Sequence, residues 1–289
     1  MSQTYPWMTD VVHQFDGYDL EQKASWLKLL SDFQQDLPLT LQELICKAAQ
    51  PGTSTASDEN SIAVWSQAII GLAKCHDLAE KAIAILRPCL QSEYWFIRGN
   101  AAVSLALLGV KDAVTIGRIG ALLFDHEGFD WRVSEAALSA LETIGEPAQQ
   151  EVPQILHLAS QYIQQDKLTG WSDMGVLIAN CLAAIGDKSP AVIDSLCQMV
   201  EKRSMSAYEA CVAIGMLNTK AEQAQQVIAN YLCSEEMPAY DAERAYGLID
   251  ALESVASDRP DLIRQCLHHL LQSPFEEVVD IAKQRLDTY

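Results

Sequence analysis

The densest chemistry in the chain lies in the segment Phe124-Asp125-His126-Glu127-Gly128-Phe129-Asp130-Trp131-Arg132. Three carboxylates and a histidine within six residues have the atom types to hold a cation. Their order does not fit a calcium loop, which needs alternating carboxylates and a glycine at the sixth place. No second histidine stands nearby for a zinc set. The segment therefore reads as an acidic turn, with Asp130 capping the helix that follows, and no metal is expected. Its mix of charge and aromatic surface suits contact with a protein.

No other group of residues carries a catalytic signature. His268 and His269 are adjacent, so they point to different faces of a helix and cannot chelate as an i, i+4 pair would. The other histidines, His13, His76, His126 and His157, lie far apart. There is no G-x-S-x-G elbow and no glycine-rich phosphate loop. The eight cysteines form no C-x-x-C pair, and most sit inside apolar helical runs. That usage points to free thiols in a reducing, cytoplasmic setting. The first residues lack the basic-then-apolar pattern of a secretory signal, and no apolar run is long enough to span a membrane. The chain is expected not to be an enzyme and to need no cofactor.

The elements that must position these residues are repeated. Ile97-Arg98 and Ala101-Ala102 lead through Leu105 to Leu108-Gly109. Val133, Ala136-Ala137 and Leu141 lead in the same way to Ile144-Gly145. Ile70, Leu105, Leu141, Leu182, Ile214 and Leu252 align at spacings of 35, 36, 41, 32 and 38 residues. The turn after each such helix carries Gly109, Gly145 and Gly186, with Asn218 in the fourth place. These are the residues a left-handed C-cap takes. Pro147, Pro190 and Pro260 open second helices, where a missing N–H is tolerated. Helix, glycine turn and proline-started helix together spell an αα-hairpin, repeated about six times. The 41-residue interval places an insertion near 161–170.

The flanks differ from the repeats. Residues 1–17 read as an irregular lead-in. A helix from about Asp19, ending before Pro38, and a second over 39–49 form an N-terminal helical cap (1–50). Residues 51–60 are a linker, 61–276 the repeats, and 277–289 a closing helix. An aromatic residue begins most first helices: Trp95 and Phe96, Trp131, Trp171, Tyr208, Tyr240 and Phe275. Each either wedges between repeats or stands out as an anchor for a partner.

The pattern around Ile97-Arg98, Ala101-Ala102 and Leu108-Gly109, with its second copy, resembles the HEAT-repeat superfamily. The nearest likeness is to the short bacterial HEAT-like repeats also found in phycobilisome-lyase-type proteins. The second copy departs from it, with Ser134 where the arginine would stand and Arg132 displaced to the helix start. The resemblance covers roughly 61–276. It implies an all-α fold, a right-handed α-solenoid of about six hairpins, and an extended groove lined by second helices. It is nearly silent on function.

Charge narrows the partner. The formal net charge is −19, spread along the chain rather than gathered in a tail. Such a field repels nucleic acid and anionic membranes and favours a basic protein. HEAT-like DNA glycosylases use basic concave surfaces, whereas here Arg87, Arg98, Lys111, Arg118 and Arg132 interrupt an acidic centre. The expected function is a non-enzymatic scaffold that binds a basic protein, in its sharpest form an inhibitor or immunity protein that masks a toxin. The expected contact residues are Trp95, Arg98, Asp125, His126, Glu127, Asp130, Trp131, Arg132, Trp171 and Asp173. The alternative is a bilin-lyase-like enzyme handling a tetrapyrrole and a client cysteine, with Cys89 and the aromatics near Trp95 involved.

Overall fold

The computed structural model describes residues 6–33, 36–50, 59–125, 131–164, 174–202, 206–234 and 242–289. Among these residues the chain is all helical, with short turns and no strand. It divides into two compact units, Met1–Ala148 and Gln149–Tyr289.

The first unit holds α1 (Pro6–Gln14), α2 (Leu20–Asp32), α3 (Leu39–Ala48), α4 (Glu59–Gly71), α5 (Ala79–Cys89), α6 (Trp95–Leu107), α7 (Ala113–Ala121) and α8 (Arg132–Ile144). Helices α2, α4, α6 and α8 pack each on the next, while α3 lies between α1 and α5 in contact order. Leu30, Ile45, Ile69, Leu86, Ile97, Leu105 and Ile116 of these helices are fully buried. The first strong helix start is a capping box. Asp19 Oδ1 accepts the Gln22 N–H at 2.8 Å, and Gln22 Oε1 accepts the Asp19 N–H at 3.1 Å. The lead-in is more ordered than its composition implies, because α1 covers residues 6–14 and a 3-10 turn follows over Phe15–Gly17. Val11 and Phe15 are both buried, so two apolar anchors suffice to fix it.

The second unit holds α9 (Val152–Gln164), α10 (Met174–Ile185), α11 (Pro190–Glu201), α12 (Ala207–Leu217), α13 (Glu222–Leu232), α14 (Ala242–Val255), α15 (Pro260–Leu270) and α16 (Glu276–Leu286). Helices α10, α12, α14 and α16 pack in order, and so do α9, α11, α13 and α15. Small residues let the first set approach closely. A Cβ on Gly215 of α12 would lie 2.7 Å from the Ala251 Cα of α14, a backbone atom that cannot swing away. On Gly99 of α6 it would lie 3.2 Å from the Ala136 Cβ, a contact a small shift relieves. Gly215→Ala is therefore expected to cost about 1–3 kcal/mol by overpacking. At Gly99 a helix-propensity gain of about 1 kcal/mol offsets the crowding. Urea unfolding of the two variants checks the order; a Gly215→Ala protein as stable as wild type would refute the close packing.

The turn chemistry is as its residues dictate. Gly109, Gly145 and Gly186 have φ of 76°, 69° and 77°, and Asn218 has φ 49°. Gly145, at ψ −135°, occupies a region closed to residues with a Cβ. Pro190 and Pro260 are first helical residues of α11 and α15. Pro147 departs from the pattern and falls in a 3-10 helix, Glu146–Glu151, ahead of α9. In the first aligned segment Ile69 is fully buried and Ile70 is half-buried. The linker residues 51–58, and 165–170 of the insertion, lie outside the described residues.

Side chains tie neighbouring hairpins together at the repeat spacing. Ser104 Oγ donates to the Ile69 carbonyl at 3.0 Å, and Ser254 Oγ to the Gly215 carbonyl at 2.8 Å. Two buried glutamines make equivalent latches. Gln42, fourth residue of α3, donates from Nε2 to the Leu37 carbonyl at 2.7 Å and to Asp77 Oδ2 at 2.8 Å. Its Oε1 accepts the Asp77 N–H at 3.1 Å. Gln225, fourth residue of α13, donates to the Lys220 carbonyl at 3.5 Å, the Val255 carbonyl at 2.9 Å and Asp258 Oδ1 at 3.2 Å. In each case the fourth residue of a helix reaches back five residues and forward to an aspartate 33 or 35 residues on; both partners of the Gln42 latch lie in the first unit and both of the Gln225 latch in the second. Buried amides of this kind are held only when their polar atoms are met.

Candidate functional site

The first turn of α6 gathers the aromatic and charged residues singled out by sequence. Tyr94 occupies the N-cap position and Trp95 is the first helical residue. Trp95 packs edge-on to Phe96 with centroids 5.5 Å apart, and Phe96 meets Tyr94 at 5.8 Å. On the neighbouring helix α8 the first residue is Arg132. Its guanidinium carbon stands 3.8 Å from the centroid of the Trp95 ring. That is a close cation–π stack, bridging α6 and α8 at their N-terminal ends. Trp95 keeps 37% of its surface exposed, so the stack faces solvent and is worth about 0.5–1 kcal/mol.

Arg98 lies one turn further along α6 and has a different environment. Its Nε and Nη2 donate to the two carboxylate oxygens of Asp125, at 2.5 and 2.8 Å. Its Nη1 donates to the Ser92 and Glu93 carbonyls at 2.8 and 3.1 Å. The side chains are only 15% and 26% exposed. The planar fork thus joins the turn before α6 to the turn after α7, in a bidentate geometry that a lysine cannot reproduce. Arg98 and Asp125 spend their charge on one another. They shape the edge more than they offer groups to a partner.

Trp131 is 8% exposed, buried at the start of α8. It also takes the N-cap position expected for Asp130, its carbonyl accepting the Glu135 N–H at 2.9 Å, with no side-chain cap. Ser134, standing where the repeat pattern has arginine, is fully buried. The structure therefore brings Trp95, Arg98, Asp125, Trp131 and Arg132 to one edge of the first unit, as two charge-linked pairs and a buried ring. His126, Glu127, Asp130, Trp171 and Asp173 lie outside the described residues. The carbonyls of Ser92 and Glu93 belong to the same edge. No sequence signal marks them, because a backbone acceptor carries no residue type.

The thiols are mostly out of reach. Cys233 is half-buried and the other seven cysteines are buried. Burial pushes the Cys89 thiol up to about 11 and that of Cys197 up to about 12, so both are protonated at neutral pH. Among the described residues no three His, Cys, Asp or Glu side chains are grouped to hold a metal ion. No helix among them is long and apolar enough to cross a membrane. Comparison with protein-family models and with curated proteins finds no match to this chain.

Proposed function

We propose that the chain is a non-enzymatic, protein-binding scaffold built of HEAT-like helical hairpins. In this reading about six hairpins (61–276) follow one another in the right-handed sense of an α-solenoid. Helices α2 and α3 cap their open end, and α16 closes the other. The consecutive packing of alternate helices within each unit supports it, as do hydrogen bonds recurring at separations of 35 and 39 residues.

The partner is a protein with a basic surface. One observation carries the choice of site: Trp95 stays 37% exposed while its ring is held by Arg132 and flanked by Tyr94 and Phe96. A rigid, amphipathic aromatic at low entropic cost is the kind of residue that anchors an interface. The net charge of −19 surrounds it with a field that accelerates encounter with a cationic protein. An inhibitor or immunity protein that masks a basic toxin is the form of this function we favour.

Salt tests the charge component. The chain is immobilised, cell extract is passed over it, and the retained protein is compared at low salt and at about 0.5 M, where the Debye length falls to about 4 Å. The expected result is a basic protein held at low salt and released at high salt. A partner held equally in both would contradict an electrostatic basis.

A further inference from the structure

A cavity of about 250 Å³ opens in the first unit, away from the Trp95 edge. It is lined by Phe15 and Asp16 of the 3-10 turn, Leu20 and Lys23 of α2, Lys47 and Ala48 of α3, and Val64 and Trp65 of α4. Phe15 and Val64 are buried. The Trp65 ring is fixed by its Nε1, which donates to the Ala49 carbonyl at 3.2 Å. The floor is therefore aromatic, apolar and rigid, and the mouth is charged.

The two lysines at the mouth are not equivalent. Lys47 Nζ lies 2.9 Å from both Asp16 carboxylate oxygens, so its charge is met. Lys23 Nζ reaches only the Asp16 backbone carbonyl, at 3.3 Å, and lies 5.8 Å from the centre of the Phe15 ring. Among the described residues no carboxylate comes within ion-pair distance of Lys23. Residues 1–60 of this acidic chain hold only three lysines or arginines, Lys23, Lys28 and Lys47. Two of them converge on this opening around one carboxylate, Asp16, whose pKa is lowered by its direct pairing with Lys47 and also by the charge of Lys23, so the three groups leave one net positive charge.

We infer that this cavity is a binding site for a small planar aromatic carboxylate. The ring lies among Phe15, Val64 and Trp65, and the carboxylate accepts from Lys23 Nζ at the rim. Its volume is just below the range of drug-sized pockets, which limits the ligand to one or two rings. The excess positive charge at the mouth selects an anion, and the apolar floor selects against a fully hydrated one. The site is independent of the protein-binding edge.

Calorimetric titration of the full chain with 2-naphthoate, and with the uncharged 2-naphthamide, tests it. Saturable one-to-one binding of 2-naphthoate is expected, with the amide weaker by about tenfold, the effect of one charge-assisted contact. Lys23→Met and Lys23→Gln should each weaken 2-naphthoate by a similar factor without changing the melting temperature. Lys28→Met, an exposed lysine on the same helix and outside the cavity lining, should leave binding unchanged. Absence of saturable binding, equal binding of acid and amide, or equal weakening by the Lys23 and Lys28 variants would overturn the site.

Discussion

Replacing Trp131 with alanine is expected to lower the unfolding free energy by about 3–5 kcal/mol, the range for emptying a buried large aromatic site. The indole is 8% exposed at the start of α8, where α8 packs on α6. Removing it leaves a void that the flanking helices cannot fill without moving. Trp95→Ala, one helix back, should cost only about 1 kcal/mol, because it loses an exposed stack on Arg132 and some edge packing. The two tryptophans stand at the starts of α6 and α8, yet the expected losses differ by several kcal/mol. Urea unfolding of the single variants measures this directly. A Trp131→Ala protein within about 1 kcal/mol of wild type would show that burial of the ring contributes little to stability.

The second large effect is at Arg98. Arg98→Met removes both ends of a four-hydrogen-bond clamp, leaving the Asp125 carboxylate without its cation and the Ser92 and Glu93 carbonyls without a donor. Breaking a fully buried pair costs about 3–5 kcal/mol. The partial exposure of this one lets water reach Asp125, which brings the expected loss to about 2–3 kcal/mol. Arg98→Lys should recover little of it, since one ammonium cannot meet both carboxylate oxygens and two carbonyls in a plane. Adding Asp125→Asn to Arg98→Met should cost much less than it does alone, because the charge it removes is already unpaired. A double-mutant cycle reads that coupling, expected at about 1–3 kcal/mol. Additive effects would mean that the contact contributes no stability.

What the sequence makes legible follows from how local the physics is. Gly109, Gly145, Gly186 and Asn218 announce positive φ because the backbone demand falls on the residue itself. Pro190 and Pro260 announce helix starts for the same reason. Pro147 misleads because a fixed φ suits a 3-10 helix as well as an α-helix. The order in residues 6–17 is hidden because it comes from Val11 and Phe15 finding a core contributed elsewhere. The Gln42 and Gln225 latches are hidden more deeply. A glutamine in a helix has no pattern, and only the fold brings Asp77 and Asp258 to it. At the candidate edge, the residue types of Trp95, Arg98, Asp125, Trp131 and Arg132 are all readable. Which of them is spent internally is not. Arg98 is held by Asp125 and two carbonyls and Trp131 is buried, whereas Trp95 and Arg132 keep their exposure.

That division makes the binding claim sharp. Wild type, Trp95→Ala and Arg132→Ala are compared for retention of the basic protein captured at low salt, with the melting temperature of each chain measured in the same buffer. The account predicts that both variants melt close to wild type and lose the partner by about tenfold or more, as interface anchors do. Undiminished retention by Trp95→Ala at an unchanged melting temperature would contradict it.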